Sequence, residues 1–284
     1  MIASTIVVLC FLLWHVKRRY LDGTWQKPDV SVRDWQWMFF WAFITHIILD
    51  CFTLYGTQVF APFSNYRVSW ATVSVADPMY TTPLLLFLLF ASRFERDSVW
   101  RSRLNNLGLI LSCSYLAFTV FNKSRINNQF DFELNSASID AYRYSTNATL
   151  LNNVLWTCTA ESPSHYYIGE YSFNDELPVY FNEIEKNHHL LKNFDTDPTI
   201  KALRWFCDDY FCITEGEDGL FFNDLRFGVY RNNQGEPAGY IFSFLLSEGK
   251  EGYVMSRNGK GPDEDERNDF LKNLFNRIKG RKAA

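Results

Sequence analysis

Hydrophobic positions are continuous in the first part of the chain and periodic in the rest. Residues 1–122 hold four long apolar runs, at 1–16, 35–55, 79–94 and 104–121, and each predicts a membrane-spanning helix. The first run is short, but the basic cluster Lys17-Arg18-Arg19 follows it, where a signal peptide would carry its charge in front. It therefore reads as a span or the remnant of one. Residues 123–150 are polar and rich in Asn and Ser, which predicts a linker.

From residue 151 the periods shorten. Runs 154–159 and 166–173 are rich in aromatic and β-branched residues and flank Ser162-Pro163-Ser164, which predicts a hairpin. Runs 225–230 and 240–246 flank the turn-forming stretch 232–237 and predict a second. Segments 177–191, 199–210 and 265–279 predict helices, the last with Phe270, Leu271, Leu274, Phe275 and Ile278 on one face. The expected architecture is an α-helical transmembrane domain of about four spans over 1–122, a linker over 123–150, and an α+β extramembrane domain over 151–284.

Composition sharpens this division. Aromatic residues make up 18% of the 284 positions, yet the mean hydropathy is only −0.18, because two unlike halves are averaged. Residues 1–122 carry a net charge of +3 and residues 123–284 a net of −7. No basic stripe of the kind a nucleic-acid binder needs is present, so the expected partner of the first half is the lipid bilayer. Loops 17–34 and 93–103 hold nine basic residues, and loop 56–78 holds only Arg67. The positive-inside rule then puts loop 56–78 and the α+β domain on the outer side.

Candidate chemistry gathers at that outer end. His46 and Asp50 are four residues apart, so a helix puts both on one face, where they could close on a divalent cation or bond each other structurally. Asp77-Pro78 suits a helix N-cap followed by proline at the first helical position, a role compatible with metal binding. Arg67 could hold an anionic group or anchor at lipid headgroups. Of the six cysteines, Cys207 and Cys212 could pair if the domain lies outside the cytoplasm. His188-His189, beside Glu183 and Glu185, and the run Asp208-Asp209 read as solvated surface.

The run His46–Asp50, Tyr55-Gly56-Thr57, Pro62-Phe63-Ser64, Arg67 and Asp77-Pro78-Met79-Tyr80-Thr81 resembles the YdjM-type bacterial inner-membrane proteins, a family of metal-dependent hydrolases. Asp224-Leu225-Arg226-Phe227-Gly228, Trp156 and Tyr166-Tyr167-Ile168-Gly169-Glu170 resemble the soluble tail of its longer members. The resemblance implies a zinc or manganese site at the membrane surface, distantly similar to phospholipase C and P1-type nuclease folds, acting on a phosphoester or lipid-linked substrate. It implies His46, Asp50 and Asp77 as metal ligands, Asp77 and Arg67 as catalytic groups, and Ser64 and Arg67 as substrate contacts. The family's upstream His-Arg-Gly-x-Thr-His-Ser motif does not occur before the first long span, so the expectation is a chain truncated at its N-terminus or one that has lost the activity. The alternative is a non-catalytic membrane protein whose outer domain binds a partner.

Overall fold

The computed structural model describes residues 31–231, 237–249, 252–257 and 264–282. The predicted span 1–16, the cluster 17–19, Cys10 and the turn residues 232–236 lie outside the described residues. The chain divides into two compact units between Ile48 and Leu49.

Helix α1 (Val32–Phe52) starts with a reciprocal cap, in which Ser31 Oγ accepts from Asp34 N at 3.2 Å and Ser31 N donates to the Asp34 carboxylate at 3.1 Å. It stops three residues short of the expected end because the returning chain takes its last carbonyls. Trp70 N donates to Cys51 O at 2.7 Å and Thr72 N to Phe52 O at 2.8 Å. Gly56, at φ +63°, makes that return possible, since a Cβ there would sit 2.4 Å from Val68 O. Helix α2 (Pro78–Ala91) packs against helix α3 (Val99–Ser136), and the close approach needs Gly108, whose added Cβ would lie 2.9 Å from Phe87 Cβ.

The polarity of α3 reverses along its length. In the first part Leu109, Ile110, Leu111 and Phe118 face outward while Ser112, Thr119 and Asn122 are buried, the inverse of a soluble helix and the pattern of a lipid-facing one. After Lys123 the order flips, and Ile126, Phe130 and Leu134 are buried in a protein core. At 1.5 Å per residue the helix is about 57 Å long, so about half of it suffices for a bilayer. By length and composition α3 is the one helix among the described residues able to cross a membrane, and α2 is a shorter apolar helix. The described residues thus give one helix capable of crossing a membrane and an α+β portion, while the expected count of four spans goes beyond them.

The expected linker 123–150 is structured. Its first part continues α3 and its second part forms β1 (Arg143–Ala148), because the Asn-rich stretch also carries apolar residues at helical spacing. Strand β1 pairs with β2 (Leu155–Glu161), which pairs with β3 (His165–Ser172) and then β4 (Phe181–Glu185) in one antiparallel sheet. Every β2 residue is buried because both faces are covered. Trp156, Cys158 and Ala160 pack with α3, while Thr159 Oγ1 on the other face donates to Leu225 O at 2.9 Å. The expected helix 177–191 is instead β4 and a single 3₁₀ turn, His188–Leu190. Pairing with β3 overrides the helical spacing there.

The second sheet runs β5 (Phe211–Gly216), β6 (Gly219–Arg231), β7 (Pro237–Gly249) and β8 (Gly252–Arg257), again antiparallel in sequence order. Helix α4 (Pro198–Phe206) covers one side through Ile200 and Leu203, which pack with Phe211, Ile213, Phe222 and Leu246. Asp197 caps α4 by accepting from Thr199 N at 2.8 Å and Ile200 N at 3.0 Å, and also accepts from Tyr253 N at 2.7 Å on β8. Tyr166, Ile168, Cys212, Leu225 and Val229 form the core between the two sheets. Cys207 and Cys212 are both buried free thiols, which overturns the disulfide reading; they lie in different apolar clusters.

Helix α5 (Glu264–Ile278) is latched to the first sheet by Arg277, whose two terminal nitrogens each sit 2.6 Å from an oxygen of the buried Asp175 carboxylate. Burial would raise the Asp175 carboxyl, but Arg277 and the amides of Ser172 and Arg281 outweigh it and hold it below its ordinary 3.8. A depressed carboxyl contributes stability that is full above about pH 4 and lost as pH falls through the lower folded-state value. Melting temperature of the full chain should therefore fall more steeply with acid in the wild type than in Asp175→Asn; identical acid slopes would contradict this latch.

Candidate functional site

Helix α1 carries His46 and Asp50 in its last two turns, one turn apart as the spacing requires. His46 is exposed and Asp50 half-buried. Asp77 performs the cap that its sequence context suggests. One oxygen accepts from Met79 N at 2.9 Å, the other from the Tyr115 hydroxyl at 2.7 Å, and the residue is 3% exposed. Both carboxylate oxygens are therefore engaged in joining α2 to α3. Ser64 is exposed, and its Oγ accepts from Tyr66 N at 3.1 Å.

Arg67 does not point into open solvent. Its Nη2 donates to Phe206 O at 2.8 Å, Trp205 O at 3.3 Å and Asp208 Oδ1 at 2.8 Å, with the guanidinium 4.8 Å from the Trp205 ring centroid. Trp205 Nε1 returns a bond to Asn65 O at 3.1 Å. Loop 56–78 thus places a cation on the carbonyl end of α4, where the helix dipole favours it. A second tie runs through Asn153, whose side chain donates to Thr72 O at 2.7 Å and accepts from Asn122 at 2.9 Å.

Asp208 is the hub of the first tie. Its other oxygen accepts from Arg226 Nη1 at 3.0 Å, and Arg226 also forks onto Asp224 at 2.8 and 3.1 Å. Asp208 and Asp209 both adopt left-handed backbone, at φ 51° and 61°, a conformation costing on the order of 1–2 kcal/mol for each such residue. Arg204 on Asp209 at 2.6 Å, Tyr166 on Asp209 O at 2.7 Å and Arg143 on Asp208 O at 3.1 Å hold the elbow in place. This pair had read as solvated surface; each side chain is about half exposed yet committed to arginines. Asp224 and Arg226 gave a usable signal, since residues two apart in a strand share a face.

A neighbouring buried network also escaped sequence reasoning. Glu161 accepts from Lys186 at 2.6 Å, from Tyr166 at 3.3 Å and from Arg143. Burial would raise its carboxyl, but Lys186, Tyr142 and Arg143 outweigh that and hold it below the usual range. Although His189 is exposed, His188 is not solvated surface. It stacks on Phe211 at 4.0 Å and its Nε2 lies 2.9 Å from Phe211 O, while burial pushes its pKa down.

A catalytic zinc-type site takes three protein ligands and an open position. No three His, Cys, Asp or Glu side chains gather to hold a metal ion among the described residues. The donor set on the described residues does not fit a complete centre.

No curated protein and no solved structure matches the chain significantly. The match to a family model ends inside α3, near the polarity reversal and short of the tail motifs in β2, β3 and β6. A family model described as YdjM inner membrane protein matches residues 1–126 of the chain.

Proposed function

We propose that this is a multi-pass inner-membrane protein of about four spans that mounts its α+β domain on the outer loop 56–78 and presents it there to a protein partner. The placement of Arg67 carries the reading. A residue suited to gripping a substrate anion is spent on the carbonyl end of α4 and on Asp208. Asp77 is likewise spent on the α2–α3 junction. The outer orientation rests on the loop charges.

The metal-dependent hydrolase of a phosphoester or lipid-linked substrate is a second reading, favoured by His46 and Asp50 one turn apart on α1 and by the match over residues 1–126. There, His46 and Asp50 would hold zinc or manganese with Asp77 as third ligand or base, and Ser64 and Arg67 would meet the substrate.

Metal content separates the two. The detergent-purified full chain is expected to carry no stoichiometric zinc or manganese, and the His46→Ala/Asp50→Ala variant the same. Near-stoichiometric metal that disappears in the variant would overturn the first reading in favour of the hydrolase.

A further inference from the structure

The opposite end of the α2–α3 hairpin holds a second feature. Beside the connection 92–98 lies an open cavity of about 280 Å³, lined by the apolar Leu88 and Ala91 and by the polar Ser92, Arg96, Arg101 and Asn105. Arg101 Nη1 donates to Phe94 O at 3.3 Å, which fixes its stem beside the cavity. Arg96 makes no hydrogen bond or ion pair among the described residues, nor do the acidic neighbours Glu95 and Asp97 pair with any arginine there. The stretch 93–103 carries four arginines against those two acids.

The surroundings fix the depth. Leu89, Phe90, Val99 and Trp100 are exposed around the cavity, an apolar collar with a tryptophan at the level where the helices meet charged chain. That is the composition of a bilayer's polar boundary. A cavity at this level, apolar toward the membrane and lined by guanidinium, hydroxyl and amide groups toward the water, matches a lipid phosphate with the start of its chains.

We infer that this cavity binds the phosphate headgroup of an anionic phospholipid, with Arg96 and Arg101 as its charge partners. Arg96 supplies donors that no described residue uses, and the neighbouring serine and asparagine side chains can complete the phosphate's acceptors. Leu88 and Ala91 then meet the glycerol and first methylenes. The site is distinct from the outer-loop residues, being formed at the other ends of α2 and α3.

Native mass spectrometry of the detergent-purified full chain, with phosphatidylglycerol or phosphatidylcholine added, tests this. Wild type is expected to retain phosphatidylglycerol over phosphatidylcholine, and Arg96→Gln/Arg101→Gln to lower that retention by about tenfold, the loss expected for charge-assisted bonds. Arg93→Gln/Arg103→Gln removes the same charge from residues outside the cavity lining and should retain the lipid. The exposed single variant Arg96→Gln should show a partial loss without disturbing the helix junction. Equal loss in the two double variants, or equal retention of both lipids, would overturn the proposal. Displacement of the lipid by millimolar inorganic phosphate would overturn it too, by making the cavity a free-anion site.

Discussion

Replacing Arg226 with Leu is expected to destabilise the full chain by about 3–5 kcal/mol, the usual cost of leaving a buried charge without its partner. The side chain is 1% exposed and forks onto Asp224, which is 0% exposed. Removing the guanidinium strands the buried Asp224 carboxylate and also strips one of the two cations from Asp208. The double variant Arg226→Leu/Asp224→Asn should recover part of the loss, because the stranded charge is gone. Denaturant or thermal unfolding in detergent reads both. A single variant as stable as wild type would show that the pair is dispensable, and the hub at Asp208 would have to be held otherwise.

Phe130→Ala should cost a similar amount, about 3–5 kcal/mol, for a fully buried aromatic side chain cut to a methyl group. Phe130 sits on the extramembrane half of α3, with its ring centroid 6.3 Å from Tyr171 and 6.5 Å from Phe181. Ile126 and Leu134 flank it one turn away on either side, against Trp156 and Cys158. The same truncation at Phe121, exposed on the membrane part of α3, should cost far less in detergent. Equal losses at the two positions would contradict the polarity reversal along the helix.

That reversal explains what could be read from sequence and what could not. The apolar run 104–121 announced a helix clearly, because twelve of its eighteen residues are hydrophobic. Its continuation was hidden: Ile126, Phe130 and Leu134 are spaced for one helical face, but Asn127 and Asn128 between them and Asn135 just beyond gave the composition of a linker. Both hairpins were legible from turn residues and β-branched strands, whereas β4 was not, since its helical spacing yields to pairing with the preceding strand β3. At the candidate site Asp77 was legible as a cap because Pro78 follows it. Arg67 was not, because its partners lie nearly 140 residues downstream, and no local pattern records them.

Loop 56–78 and the α+β domain form one fastened body, with Arg67 on the end of α4 as one tie and Asn153 on Thr72 as the other. Hydrogen exchange of the full chain in detergent tests it most directly. Peptides covering 64–70 and 204–210 should be protected together in wild type and lose protection together in Arg67→Ala, while β2 and β3 stay protected. A wild-type loop that exchanges at the rate of free chain, or an Arg67→Ala profile identical to wild type, would contradict the account.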